Sequence, residues 1–426
     1  MTLQKSWVIS ANSADTHFPL NNLPYGVFGR GQEHPVCCVA IGDMVLDLSV
    51  LEDEGLIPTT EDGPIFDLPF LNEFMEMGQD AWGELRSRLQ DLLAEGGDGA
   101  LSGNADLLAR ALVPMEDAQM YLPIVVTEYT DFYAGMQHAK NMGAILRGSD
   151  DLPANWLHIP IGYNGRASSV VVSGTDIHRP LGQTKAPDAD TPSFGPSKRL
   201  DIELEMGAIV GTGSTLGQPI TLAEADKMIF GYVLLNDWSA RDIQGWEYQP
   251  LGPFQGKAFG TSISPWVVTT AALEAFRTPV PPREKELLPY LRETKPGLYD
   301  ITLEVTLQPE GADRATTITR TNYARMYYSA AQQLTHHAIG GCEMNTGDLL
   351  GSGTISGPTA KEFGSLMELS WAGKKPFTLD TGETRGFIED GDRLTLVGYA
   401  QGDGFKIGFG DCTGRILPAV SEPEWH

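Results

Sequence analysis

The sequence predicts a mostly β protein with interspersed helices (α+β), divided into two domains. Three observations predict it. At 426 residues the chain exceeds what one hydrophobic core usually holds. Its 48 glycines and 28 prolines make it rich in turns, which favours short strands over long helices. Near residues 113–120 the pattern changes from a helical stretch to a long series of apolar strands, so a first domain is expected over 1–118 and a second over 119–426.

In chain order, Val36-Cys-Cys-Val-Ala-Ile41, Gly42-Asp43 and Met44-Val-Leu-Asp-Leu48 read as a hairpin with a two-residue turn. Residues 70–95 carry Leu71, Phe74, Met75, Trp82, Leu85, Leu89 and Leu92 near helical spacing, which predicts a helix ended by Gly96-Gly-Asp-Gly99. A short helix is expected around 105–112. From Tyr121 onward, strands are predicted over 168–173, 228–235, 266–269, 299–307 and 393–398. Thr221-Leu-Ala-Glu224 spells a capping box that opens a short helix. A second helix is predicted over 323–339, stopped by Gly340-Gly341. The Pro-, Gly- and Ser-rich segment 182–198 reads as a surface loop.

Composition excludes several classes. A formal charge of −26 argues against a nucleic-acid or anionic-membrane partner. It also requires that an anionic substrate be caught by local cations. Cys37, Cys38, Cys342 and Cys412 fit no zinc or redox spacing, so reduced thiols are expected. No apolar signal region follows Lys5 and Trp7, and no run reaches membrane-spanning length. Together these predict a cytoplasmic protein.

The most informative stretch is Leu200-Asp-Ile-Glu-Leu-Glu-Met206, which alternates apolar and acidic residues with period two. Ile202, Leu204 and Met206 would face a core, with Asp201, Glu203 and Glu205 on the other face. For one alternating strand a solvated outer face is the default. The alternative is a divalent cation held by Glu203 and Glu205 with carboxylates from elsewhere, because hard cations take six or more oxygens. Asp131 taken alone reads as a helix cap, and His138 as a solvated helical residue. His336-His337 reads as structural. Asp237 falls at the end of an apolar strand, and Arg241, Gln244 and Tyr248 follow at about one-turn intervals. Such donors suit a small anion with several oxygens, and equally suit an exposed polar helix face. Lys257 in Leu251-Gly-Pro-Phe-Gln-Gly-Lys257 would by itself be exposed. Gly211-x-Gly213-x-x-x-Gly217 matches no nucleotide-binding spacing and reads as a loop, as does Gly351–Gly357, whose amides and hydroxyls could hold an anion. No Gly-x-Ser-x-Gly elbow is present.

At these residues the chain resembles the two-domain members of the fumarylacetoacetate hydrolase family. The resemblance runs from Pro24-Tyr-Gly-Val-Phe28 to Gln401-Gly-Asp-Gly-Phe405. It is carried by Asp131-Phe-Tyr, Gln137-His-Ala, Asn155-Trp-Leu-His, Gly165-Arg-Ala-Ser-Ser, Glu203-Leu-Glu205, residues 236–248 and 256–266, Gln332 to His337, and Gly353-Thr-Ile-Ser-Gly357. It implies a small β-barrel-like N-terminal domain, a larger C-terminal β-roll and a homodimer. It implies Asp131, Glu203, Glu205 and Asp237 as ligands of Mg²⁺ or Ca²⁺, with Lys257 and Thr261 as neighbours of the metal. It implies His138 as general base with Glu368 as its carboxylate partner, and Arg241, Gln244 and Lys257 around the scissile carbonyl. Tyr133, Arg147, Tyr248 and Thr354 match substrate-binding positions, as do Arg241 and Gln244. Asn164 departs from the family pattern, where a His is usual, and Ala134-Gly135-Met136 replaces a more polar stretch; neither is a matched catalytic position. The implied activity is hydrolysis of the C–C bond of 4-fumarylacetoacetate to fumarate and acetoacetate, the last step of tyrosine and phenylalanine breakdown. Alternatives are an acylpyruvate hydrolase or oxaloacetate decarboxylase on the same scaffold, or a non-catalytic metal-binding paralogue.

Overall fold

The computed structural model describes residues 2–31, 33–61 and 63–422. Its first unit is a five-stranded antiparallel sheet in the order Leu112–Pro114, Met44–Asp47, Val36–Ile41, Tyr25–Gly29, Gln119–Met120. The predicted hairpin is its centre. Gly42 sits at φ 61°, and a Cβ there would lie 2.2 Å from Ser10 Oγ, so only glycine turns this corner. The second strand stops at Asp47, not Leu48, because the Asp47 carboxylate caps the next helix, Leu48–Asp53, by accepting the Ser49 and Val50 amides. The helix expected over 70–95 is two, Asn72–Glu76 and Gln79–Leu93, broken at Gly78 with φ 86°. The short helix runs Ala105–Ala111. Gln119–Met120 pairs back onto Tyr25–Gly29, so the small sheet continues past residue 118.

The second unit is built on an eight-stranded mixed sheet. Its path is Gly162–Asn164, Tyr129–Phe132, Leu349–Gly351, Leu204–Val210, Ile229–Asp237, Thr261–Ile263, Val170–Val172, and Val268–Thr269 joins Ile229–Asp237. A five-stranded sheet stands against it, comprising Thr316–Asn322, Thr302–Gln308, Arg393–Gln401, Lys406–Leu417 and Ile177–His178. The run 229–235 is apolar throughout because both faces of its strand are covered. Tyr232 and Leu234 pack with Tyr299, Leu303 and Leu396 between the sheets. Phe230, Val233 and Leu235 pack with Tyr25, Phe74 and Trp82 of the first unit. The two units therefore share a continuous apolar layer.

Several predicted boundaries move for local reasons. The strands expected over 168–173 and 266–269 shorten to Val170–Val172 and Val268–Thr269. The strand expected over 299–307 is split: Leu298–Tyr299 pairs with Arg277–Thr278, and Thr302–Gln308 joins the five-stranded sheet of the second unit. The helix expected over 323–339 begins only at Ala330, where Ser329 and Gln332 form a capping box. Segment 182–198 is not all loop; it contains a hairpin of Leu181–Thr184 with Ser193–Pro196. The capping box at Thr221 opens Leu222–Met228 as its spelling predicts. All four cysteines are free thiols, three of them buried.

Candidate active site

The acidic stretch is the largest correction. Its carboxylates do not form a solvated face: Asp201, Glu203 and Glu205 are 0%, 6% and 0% exposed. Nor is it one strand. Leu200–Asp201 pairs with Ser239–Ala240, residues 202–203 belong to neither named strand, and the sheet strand starts at Leu204 in the same register. Asp201 is not one of the acids that gather with Glu203 and Glu205.

Sheet register brings four acids together. Leu204 pairs with Asn236, so Glu203 and Asp237 are adjacent across neighbouring strands. Asp131 lies on Tyr129–Phe132 rather than capping a helix, opposite Gly351, which also faces Gly207. A Cβ on Gly351 would lie 2.8 Å from Asp131 Oδ1 and 3.1 Å from Glu205 Oε2, so glycine here lets the carboxylates converge. One oxygen from each of Asp131, Glu203, Glu205 and Asp237 lies within 4.8 Å of all the others. Thr261 is buried opposite Asp237 in the next strand.

Cations answer only part of this charge. Lys257, on the short helix Gln255–Ala258, is not exposed; its Nζ bridges Glu203 Oε2 and Asp237 Oδ2. Arg241 opens the helix Arg241–Glu247 and reaches Glu203 Oε1 with Nη1 at 2.8 Å, while its Nε donates to Asp201 at 2.8 Å. Burial alone would discharge Lys257, but Asp237 and Glu203 outweigh it and keep the ammonium charged. Lys257 and Arg241 likewise overcome burial at Glu203 and hold its carboxyl well below the usual range. The other three go the opposite way. Burial and then the Asp237 charge raise Asp131; burial and then Asp131 raise Glu205; burial raises Asp237 against the pull of Lys257. Asp131 Oδ1, Glu205 Oε1 and Asp237 Oδ1 are buried without any hydrogen-bond partner. Orphaned oxygens, an all-oxygen donor set and an unbalanced negative charge fit a hard divalent cation. This buried cluster can hold a metal ion.

Beside it stands a second arrangement. His138 is not solvated; it is buried on the helix Met136–Arg147. Its Nδ1 meets Glu368 Oε2 at 2.7 Å, and its Nε2 lies 3.7 Å from Glu203 Oε1. A carboxylate can only accept here, so Nδ1 carries the proton and Nε2 is left as the base. Glu368 also accepts from Asn141 Nδ2 at 2.7 Å, Ser356 Oγ at 3.0 Å and Ser365 Oγ at 2.7 Å. Against its burial, His138 first and then these hydrogen bonds hold its carboxyl below the usual range.

One cavity of about 550 Å³ collects the reactive side chains. Asp131, Glu203, Lys257, Arg241, Gln244 and His138 line it, together with Tyr133, Arg147, Tyr248 and Thr354. Tyr133 sets its ring edge against His138, centroids 5.5 Å apart. Gln244 Oε1 accepts from Arg241 Nη1 at 3.3 Å. Arg147 is exposed and donates to the Asp151 carbonyl, and Tyr248 is 47% exposed. The Gly353 amide in the loop 351–357 is taken by Glu205 Oε2 at 2.8 Å and is not free for an anion. His336 and His337 are occupied by Tyr290 and Thr130.

Sequence reasoning missed Asn141, Ser365, Ser356, Gly351 and Tyr163, whose hydroxyl donates to Asp237 Oδ2 at 3.2 Å. Two carried a signal. Asn141 lies three residues after His138 on one helix face. Ser365-x-x-Glu368 spells a helix cap, and Ser365 does accept the Glu368 amide.

Residues 127–417 match the family described as fumarylacetoacetate (FAA) hydrolase C-terminal, and residues 21–123 match fumarylacetoacetase N-terminal. The chain is 51% identical over 409 residues to the fumarylacetoacetase of Homo sapiens, covering 95% of this chain and 97% of the relative. It is 49% identical over 423 residues to that of Arabidopsis thaliana, covering 98% and 100%. Among solved structures, the fold is similar to a fumarylacetoacetate hydrolase from the psychrophilic Exiguobacterium antarcticum, with TM-score 0.52 and 16% identity over 93% of this chain and 99% of that one.

Proposed function

The chain belongs to the fumarylacetoacetate hydrolase family, and from that premise we propose how its cavity hydrolyses fumarylacetoacetate to fumarate and acetoacetate. The observation that carries the reading is the placement of the His138–Glu368 pair, complete in its hydrogen bonds, next to a carboxylate quartet that is not.

Cleaving a 1,3-diketone with water requires a stronger nucleophile and a stabilised carbanion. His138 Nε2 takes the proton of a water as its oxygen bonds to the carbonyl carbon. Glu368 holds the ring in the tautomer that allows this and stabilises the imidazolium formed. Two of the three Lys257 protons are committed to Glu203 and Asp237. The third, with the Arg241 guanidinium in the same cavity, meets the oxyanion of the tetrahedral intermediate. The C–C bond then breaks as the tetrahedral intermediate collapses to the carboxylic acid, and the proton held by the His138 imidazolium passes, with Lys257 and Gln244 alongside, to the departing carbon, which restores the base. Arg147, Tyr133, Tyr248 and Thr354 orient the substrate carboxylates. Asp131, Glu203, Glu205 and Asp237 would hold Mg²⁺ or Ca²⁺, with Lys257 and Thr261 adjacent; when bound, it supplies Lewis-acid polarisation of the diketone oxygens.

We also place the protein in the cytoplasm as a homodimer. Among the described residues no helix is long and apolar enough to cross a membrane. Trp246, Tyr248, Leu251 and Phe254 expose 43%, 47%, 94% and 65% of their surface within nine residues beside the cavity, which supports a covered face in solution. Light scattering tests the dimer, and metal analysis of protein purified without chelator identifies the cation.

The activity is tested by following the absorbance of the conjugated diketone with purified protein, with and without chelator. Metal-dependent loss of signal is expected. Its absence, or faster turnover of acylpyruvates or oxaloacetate than of fumarylacetoacetate, overturns the assignment.

A further inference from the structure

We infer that Asp201 is a positioning residue for this hydrolysis: its carboxylate ties Arg241 and the helix bearing Glu368 into one frame. The inference rests on the roles given above to Arg241 and the His138–Glu368 pair.

Asp201 belongs to the acidic stretch but not to the cation quartet. It is wholly buried, and it sits where Leu200–Asp201 pairs with Ser239–Ala240, directly before Arg241. Its Oδ1 accepts from the Ile202 amide at 2.8 Å and the Leu366 amide at 2.7 Å. Its Oδ2 accepts from Arg241 Nε at 2.8 Å and the Met367 amide at 3.0 Å. Leu366 and Met367 are the first two residues of Leu366–Leu369, and Glu368 is the third.

Mere neutralisation of Arg241 does not account for this arrangement. Arg241 already has Glu203 on Nη1, and two of the four bonds to Asp201 come from a different element altogether. Held at Nε and Nη1, the guanidinium keeps Nη2 unpartnered in a residue that lines the cavity. Held at its first turn, the short helix keeps the Glu368 carboxylate on His138. The donor that meets the oxyanion and the pair that activates water are thus referenced to one side chain that is wholly buried and does not line the cavity. A displacement of about 1 Å in such a frame costs on the order of 10²-fold in rate.

All four partners of Asp201 are donors, which makes the test sharp. In Asp201→Asn the amide keeps its shape, but either flip turns its NH₂ toward two donors. With full-length, metal-loaded protein and fumarylacetoacetate, Asp201→Asn is expected to lose about 100-fold in kcat with KM within about threefold of wild type. Asp201→Glu keeps acceptor-only chemistry displaced by one methylene, and is expected to lose about tenfold in kcat at unchanged KM. In the double variant with Glu368→Gln, the combined loss is expected to fall below the product of the single losses, because both act through one frame. A folded Asp201→Asn enzyme with wild-type kcat and a lowered melting temperature overturns the inference, since stability alone would then be the role. A rise in KM at constant kcat overturns it by making Asp201 a binding residue. Failure of both single variants to fold overturns it as well. Absence of turnover in the wild type instead removes the functional reading on which it rests.

Discussion

The His138–Glu368 pair and the acidic quartet stand side by side, His138 Nε2 3.7 Å from Glu203 Oε1, yet their polar atoms are treated in opposite ways. Glu368 accepts four hydrogen bonds, and with the His138 charge they hold its carboxyl low against its burial. The quartet buries three oxygens with no partner, and burial pushes three of its carboxyls upward. A buried carboxylate is costly unless it is paired. The pair is therefore completed by the fold alone, and the quartet leaves oxygens open that a cation could take up. Removing a member of one should disturb chemistry; removing a member of the other should disturb loading.

The largest effect should come from His138→Ala. A positioned base contributes up to about 10⁴-fold, so kcat should fall by that order while cation affinity, measured by calorimetry, stays within about threefold. Collapse of cation affinity in this variant would erase the distinction between the two regions. Glu368→Gln should cost about 10²–10³-fold in kcat, because a glutamine offers its NH₂ to neighbours that can only donate. Its cation affinity should also persist.

Glu205→Gln should produce the converse. Cation affinity should weaken by about 100-fold or more, and the metal-free protein should unfold at a higher temperature, gaining about 1–3 kcal/mol as one buried charge is removed. An unchanged or lower melting temperature would show that the quartet carries no unrelieved repulsion.

The smallest effect is in the pH dependence of metal-free stability. Asp131, Glu205 and Asp237 have folded values raised above the unfolded carboxylate range of about 4. The folded state therefore binds more protons than the unfolded state in that window, and stability falls as pH rises through it. Acidification from neutral pH toward about 5 should stabilise the metal-free protein, and a saturating divalent cation should flatten that slope. Glu203 and Glu368, held low, should withdraw stability only below about pH 4. A metal-free melting temperature that falls from pH 7 to 5 would contradict the raised values.

Much of the scaffold was legible because it depends on neighbours in the chain. The Gly42 corner, the capping box at Thr221 and the apolar run at 229–235 follow from turn chemistry, spacing and period. Boundaries moved at the Asp47 cap and at Gly78, where local backbone geometry overrides the apolar spacing, and at Ile301, where the chain passes from one sheet to another. In the site, residue types and the family resemblance pointed to the quartet, the base and the cations. Period alone mistook the burial of all three acids at 201–205 and of His138 and Lys257.

What the amino-acid order by itself determined is local: which segments turn, which cap, which must be covered on both faces, and which side chains can carry charge or protons. Only the tertiary structure decided where those charges go. Whether an acid faces water or a core depends on the cation that meets it, and here the partners are remote. Lys257 is 54 residues from Glu203, Asp201 receives an amide from 165 residues away, and Glu368 is 230 residues from His138. Of the acids at 201, 203 and 205, only the last two join the quartet, while Asp201 is taken up by Arg241 and by the amides of Leu366 and Met367. The energy that separates them is long-range electrostatics, which a period of two does not encode.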